Sequence, residues 1–277
     1  MYQGFYLNLA RNETRRNALV QHLEQIGATN RYTRFEAVDG REMVSRCPTR
    51  LVPGKLGLWL TYENLLTALG NSPPAHVHLI EDDTVLARNA VLIIERVLAW
   101  MDQFRDDWDL LFTDVFVQPR ISSFERFERL LKKYERSRNI AVLDVGKYAY
   151  ACNSSVLINR SSVRKYAELI RGQWALGTPL DIYVRQLIRS GQLRACLTVP
   201  FITSISPDSS TSDIEGGVIS QSRKVCEIVR RVFFLDANVG SLLAEIQGLT
   251  LGAGISKRAA VYLAAKKYML SDKWESF

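Results

Sequence analysis

Cysteine is scarce and scattered in this chain of 277 residues. Cys47, Cys152, Cys196 and Cys226 stand far apart and form no CxxC pair, so their spacing carries neither a zinc signature nor a redox one. Such thiols fit reduced, mostly buried side chains of a cytoplasmic protein. No run approaches the ~18 apolar residues of a membrane span. The opening Met1-Tyr2-Gln3-Gly4 has no basic region and no long apolar run behind it, so no secretory signal is expected. Internal repeats and low-complexity segments are missing as well. The remaining composition is ordinary: 47% hydrophobic and 23% charged residues provide core for one large domain, or a domain with an appendage. The net charge of +7 favours an anionic partner without choosing among nucleic acid, nucleotide and membrane.

The stretch that organises the chain runs from Ala75 to Leu86. Val77, Leu79 and Ile80 read as a buried strand of an α/β sheet. Glu81, Asp82 and Asp83 follow as three consecutive carboxylates, and like charges this close raise one another's pKa unless a cation holds them. Open α/β sheets bind ligands at the carboxyl ends of their strands. A few carboxylates completed by substrate phosphates suit Mg²⁺ or Mn²⁺. The plainer reading is a solvated acidic turn after a core strand.

Around this stretch the pattern is strand, helix, strand. Gly4–Leu9 reads as a strand. Asn12 is placed to cap a helix running to about Ile26, with Leu19, Leu23 and Ile26 on one face and Gly27 as its stop. Arg11, Arg15 and Arg16 crowd the positive end of that helix, which makes sense if an anion binds between them; the alternative is that they are simply solvated. Tyr32–Gly40 reads as a second, parallel strand ending at Asp39, where a carboxylate can bond a ribose or base; an ordinary Asp-Gly turn explains it equally. Residues 41–56 look like a loop, and a helix is predicted over Leu56–Leu69 with Trp59 and Tyr62 in the core. A helix around Ala90–Met101 and a strand over Trp108–Asp114 follow. Phe124–Arg138 is either a charged amphipathic helix or a flap. Ile140–Val145 and Tyr150–Ile158 read as strands, and a short helix capped by Ser161 or Ser162 runs to about Ile170. Pro179 and Asp181 fall in the first turn of another helix, and Leu193–Val199 reads as a strand. Ser206–Asp213 is a polar loop of the kind that carries function. From Gly217 on, nine Lys or Arg stand against five Asp or Glu. The apolar face of Ala259–Leu270, flanked by lysines, either lies on an anionic membrane or packs on the domain.

Taken together these pieces resemble glycosyltransferase family 25, the lipooligosaccharide galactosyltransferase group that includes the collagen galactosyltransferases. The matching residues are, in order, Asn8-Leu9, Arg11 and Arg15-Arg16, then Ala37-Val38-Asp39-Gly40 and Gly54-Lys55-Leu56-Gly57. Glu81-Asp82-Asp83, Trp108-Asp109, Pro179-Leu180-Asp181 and Ser212-Asp213-Ile214 complete the set, which covers roughly residues 4–215. Two positions depart from the family: Tyr62 stands where a His is usual, and Lys55 where an acid is usual.

The resemblance implies a GT-A-type, Rossmann-like, mostly parallel sheet flanked by helices over residues 1–216, followed by a helical basic region over 217–277. It implies a metal-dependent, inverting transfer of a sugar, galactose in the family, from a UDP-sugar to a glycan or glycolipid acceptor in lipopolysaccharide or other surface polysaccharide synthesis. Mn²⁺ or Mg²⁺ would sit on Glu81 and Asp83. The nucleotide-sugar would lie among Asn8, Leu9, Arg11, Arg15, Asp39, Gly40 and Asp82, with Asp39 holding uridine. The base would be Asp181, or else Asp213. The expected place is the cytoplasm or the inner face of the cytoplasmic membrane, with no nucleic-acid partner. Two other classes stay open: a nucleotide-sugar-binding relative without catalysis, and a metal-dependent phosphodiesterase. The second lacks the extra His or Lys of a hydrolytic site, since His76 and His78 alternate on a strand as core or surface residues do.

Overall fold

The computed structural model describes residues 1–70, 73, 75–105, 107–117, 121–148, 150–206 and 221–245. The chain lays down β1 (Tyr2–Asn8), α1 (Glu13–Gln25), β2 (Tyr32–Glu36), the one-turn α2 (Gly40–Met43) and α3 (Pro53–Leu69). The acidic stretch becomes β3 (His76–Glu81), a tight turn at Asp82-Asp83, and β4 (Thr84–Leu86), with α4 (Ala90–Phe104) behind it. Then come β5 (Leu110–Phe112), β6 (Phe116–Val117), α5 (Ile121–Ser137), β7 (Ala141–Asp144), β8 (Tyr150–Ala151) and β9 (Ser155–Ile158). α6 (Val163–Ile170), α7 (Leu180–Arg189), β10 (Ala195–Val199), β11 (Thr203–Ile205), α8 (Gln221–Val232) and α9 (Val239–Glu245) follow.

Among the described residues, seven strands form one sheet in the order β2-β1-β3-β9-β5-β10-β7. β9 is antiparallel to both its neighbours and β7 to β10, while β2, β1 and β3 are mutually parallel, as are β5 and β10. The fold is therefore α/β, with a mostly parallel central sheet flanked by helices. The alternation of strand side chains assigns the two faces. Leu7, Leu79, Phe112 and Val156 belong to a core shared with α3, α6 and α7, whereas Tyr6, Ile80, Leu111 and Leu157 belong to one shared with α1 and α4. Each large apolar side chain buried this way contributes roughly 1.5–3 kcal/mol. His78 lies within the sheet, bonded to the Tyr32 hydroxyl at 2.7 Å and to Ser155 Oγ at 3.0 Å. Burial lowers its imidazole to about 3, so it stays neutral. His76 accepts from the Arg160 N–H at 3.2 Å and meets Asp102 at 3.1 Å. Both histidines are thus built into the scaffold.

Several elements differ from the sequence reading. The region read as a loop before α3 contains α2, and α3 begins at Pro53, because proline presets the first turn of a helix. Pro179 is the N-cap of α7 rather than part of its first turn, with an extended ψ of 145°. The strand read over Trp108–Asp114 is confined to Leu110–Phe112. The segment left between helix and flap is helical, as α5. Tyr150–Ile158 is not one strand: Cys152 takes φ +80°, a left-handed conformation rare for a side chain with a Cβ, and the break places β8 and β9 in different sheets.

The register sets the site. Leu7 pairs with Glu81 and Asn8 with Glu36, so β1, β2 and β3 end level. The chain leaves β1 for β2 on one side and reaches β3 on the other, which makes the carboxyl end of β1 a switch point where a crevice opens. A glycine pair fixes the wall of that crevice. A Cβ on Gly40 would overlap the Pro53 carbonyl, and one on Gly57 would stand 2.5 Å from the Val38 carbonyl oxygen. Thr61 Oγ1 accepts the Val38 N–H at 2.9 Å and donates to the Gly57 carbonyl at 2.6 Å. Gly40→Ala is therefore expected to destabilise by about 1–3 kcal/mol, the range typical of overpacking, since backbone rather than a mobile side chain must yield. Urea unfolding checks it; unchanged stability would mean that the Asp39-Gly40 turn is not held against α3.

Candidate functional site

A cleft of about 680 Å³ opens at these strand ends. Its lining includes Leu9, Arg11, Arg15, Asp39, Gly40, Glu81, Asp82, Asp83 and Asp181. Of the site residues singled out in the sequence, Asn8 lies just behind this wall, buried, with its amide donating to Asp82 Oδ2 at 2.7 Å and to the Asn12 carbonyl at 3.0 Å. Asp213 falls outside the described residues, as does the lysine-flanked stretch 259–270. Trp108-Asp109 serves structure: Asp109 is buried and accepts from Ser162 Oγ (2.7 Å), Lys165 Nζ (2.8 Å) and the Arg194 N–H (2.7 Å).

The arginines at the start of α1 meet protein carboxylates. Arg11 pairs with Asp39, whose other oxygen accepts the Arg41 N–H at 3.1 Å and so caps α2. Arg15 lies 2.6 Å from Asp82 and 2.8 Å from Asp83. Arg16 turns to Glu13 at 3.5 Å and is not part of the cleft lining. The anions that reconcile Arg11 and Arg15 with a helix N-terminus thus come from neighbouring strand ends.

Glu81 ends β3, and its N–H donates to the Ser154 carbonyl at 2.9 Å. Burial, with Asp83 and Asp82 adding to it against the pull of Arg15 and Arg230, pushes its carboxyl up to about 8. At pH 7 Glu81 therefore contributes little negative charge to the turn. Asp83 is tied on the far side, where its carbonyl accepts the Ser206 N–H at 2.8 Å. Carboxylate oxygens are hard donors of the kind Mn²⁺ or Mg²⁺ prefers. However, the Arg15 guanidinium bridges Asp82 and Asp83. Among the described residues no group of three or more His, Cys, Asp or Glu side chains could hold a metal ion. The turn as arranged does not fit the expected ion.

Asp181, also in the cleft lining, accepts the Cys152 N–H at 3.0 Å from the first turn of α7, which ties the helix to the left-handed residue. Tyr62, at the position where the family resemblance expects a His, is buried and donates to the Asn153 carbonyl at 2.7 Å. Lys55, where an acid is usual, lines the cleft.

Sequence reasoning missed Arg230. It reaches the cleft from α8, inside the stretch read as a basic tail, yet it is almost fully buried. Its Nε donates to Asp114 Oδ2 at 2.6 Å, a second nitrogen pairs with the same carboxylate and bonds Ser154 Oγ, and the guanidinium lies 5.1 Å from the Phe116 ring centre. Burial works most strongly against its charge, but Asp114, together with Cys152 and Asp83, outweighs this and holds Arg230 above the ordinary arginine range. Burial also pushes the Asp114 carboxyl up, with Arg230 pulling it back. Geometry decides for the ionised pair, because arginine does not lose its proton in proteins and a neutral Asp114 would leave a cation buried alone. The available signal was a cation set among Val229, Val232 and Phe233.

No protein-family model matches the sequence, and no curated protein matches it. Among solved structures the chain is similar to mouse xyloside xylosyltransferase 1 in its apo form, with a TM-score of 0.34 and 9% identity over 70% of this chain and 77% of that one. It is also similar to mannose-1-phosphate geranyltransferase from Thermus thermophilus, with a TM-score of 0.29 and 10% identity over 71% of this chain and 73% of that one. Similarities this distant assign no chemistry, so the activity has to be read from the cleft.

Proposed function

We propose that this chain is a glycosyltransferase of the GT-A kind, in the manner of family 25. It would move a sugar, galactose being the family's own, from a UDP-sugar to a glycan or glycolipid acceptor of a surface polysaccharide such as lipopolysaccharide. One observation carries the reading. Residues spread from Leu9 to Asp181, picked out as an ordered set in the sequence, line one cleft at the level carboxyl ends of β1, β2 and β3.

In such a transfer an acceptor hydroxyl attacks the anomeric carbon as the bond to the diphosphate oxygen breaks, with inversion. The diphosphate leaves with the bonding electrons, and the hydroxyl proton passes to a base across the sugar. Lys55 would offer the diphosphate positive charge on the cleft wall, and Arg11 and Arg15 would do so only on exchanging their pairs with Asp39 and with Asp82 and Asp83 for it. Asp39 is assigned to the uridine, and Asp181, or else Asp213, to the proton. The family's metal chemistry, charge stabilisation on the diphosphate oxygens, would require Asp82 and Asp83 to be released from Arg15. Work in the cytoplasm, with stretch 259–270 against an anionic membrane, completes the proposal; among the described residues no helix is long and apolar enough to cross a membrane.

The test is UDP release from a panel of UDP-sugars, with and without a glycan acceptor and with and without Mn²⁺. Release from at least one donor that rises with acceptor is expected. UDP binding without release from any donor would identify a binding relative and overturn the proposal. Phosphodiesterase chemistry loses ground to the placement of His76 and His78, both held in scaffold hydrogen bonds.

A further inference from the structure

Arg15 is held in place by the fold. It sits in the first turns of α1, and farther along that helix His22 Nε2 lies 2.9 Å from the Leu86 carbonyl oxygen and 3.0 Å from the Leu86 nitrogen. Leu86 belongs to β4, the strand that follows the acidic turn. The helix is thereby tied to the element that sets the turn's position, and the guanidinium is presented to the turn. Its contacts to Asp82 Oδ1 and Asp83 Oδ2, at 2.6 and 2.8 Å, are of charge-assisted length. The second Asp82 oxygen is taken by the Asn8 amide at 2.7 Å. Both oxygens of Asp82 are therefore engaged by protein donors, one of them a permanent cation.

We propose that Arg15 is the resident cation of the Asp82-Asp83 turn, standing where a divalent metal ion would have to stand, so that ion binding there and the Arg15 ion pairs are mutually exclusive. Arg15 thereby acts as a positioning residue for the turn. The proposal deepens the reading of the cleft as a donor site, and rests on it only for the identity of the anion that a displaced Arg15 would meet.

The experiment is calorimetric titration with MnCl₂ alone, without nucleotide, on the wild type, Arg15→Met and Arg15→Lys. Removing the competing charge should tighten Mn²⁺ binding in Arg15→Met by about tenfold or more, equivalent to about 1.4 kcal/mol. Arg15→Lys, which keeps a cation, should bind as weakly as the wild type. Arg15→Met should melt below the wild type in EDTA and recover with Mn²⁺, while the wild-type melting point should not respond. Adding Asp83→Asn to Arg15→Met should abolish the gain, which locates the ion on the turn. Mn²⁺ binding by the wild type as tight as by Arg15→Met, or a gain that survives Asp83→Asn, would overturn the proposal. If Arg15→Met does not fold, the wild type is compared with Asp83→Asn: equally weak Mn²⁺ binding supports a resident guanidinium, and tight wild-type binding lost in Asp83→Asn refutes it. None of these readouts needs sugar transfer. A chain that releases no UDP could still pass, and an active transferase could still fail.

Discussion

Arg230→Met is expected to lower the stability of the protein by about 3–5 kcal/mol, the usual cost of removing one partner from a buried ion pair. Arg230 and Asp114 are 2% and 1% exposed, so the orphaned carboxylate has no water to turn to. Asp114 can relieve the penalty by keeping a proton, and the sign of the pH dependence follows. A carboxyl whose folded-state pKa lies above its unfolded value contributes stability that is present below the unfolded value and lost as pH rises through the folded one. Asp114 is already raised by burial with Arg230 beside it, and without the arginine it moves further up. The deficit of Arg230→Met, measured by urea unfolding, should therefore be smaller at pH 5 than at pH 8. Adding Asp114→Asn should remove that slope. A loss below about 1 kcal/mol, the range of an exposed pair, would mean that the pair is not desolvated. The damage should also reach the cleft, because Arg230 holds Ser154 and the Ser154 carbonyl receives the Glu81 N–H.

That pair also marks where the sequence stops being readable. The βαβ start was legible because its signals are local: the short apolar run Phe5-Tyr6-Leu7 in β1, Leu19 and Leu23 on one helical face, and Gly27 at φ +66° just past the end of α1. The acidic turn was legible as three carboxylates closing an apolar run. Arg230 was not, because an arginine among other basic residues reads as solvated until the fold brings Asp114 to it from far along the chain. The break at Cys152 was hidden for a different reason. Tyr150–Ile158 has strand-like composition throughout, and only the tie from Asp181 to the Cys152 N–H reveals the turn. The roles expected for Arg11 and Arg15 illustrate a third limit. Their charge pointed to an anion, but the residue pattern could not distinguish a ligand phosphate from Asp39, Asp82 and Asp83.

Asp181→Asn is expected to lose a factor of roughly 10²–10⁴ in turnover, the usual share of general base catalysis. The substitution separates the structural role that the fold gives this residue from the catalytic one proposed for it. Asp181 Oδ2 accepts the Cys152 N–H at 3.0 Å, and the carboxylate sits in the first turn of α7, where the helix dipole favours negative charge. Asparagine keeps an acceptor oxygen for the Cys152 N–H, so the tie between α7 and β8 survives. It loses the charge, which costs at most about 1 kcal/mol at a helix N-terminus, and it cannot take a proton from an acceptor hydroxyl. A residue with only the structural role would therefore show near-wild-type turnover and a slightly lower melting point. A base would show a nearly unchanged melting point, UDP binding close to wild type by titration, and a collapsed turnover. Asp181→Ala serves as the contrast, because it also removes the acceptor and should destabilise more than Asn. The outcome that would overturn the assignment is near-wild-type turnover in Asp181→Asn beside a dead Asp213→Asn. Asp213 follows in the sequence from Ser206, whose N–H bonds the Asp83 carbonyl, so that result would move the base from α7 to the segment that follows β11.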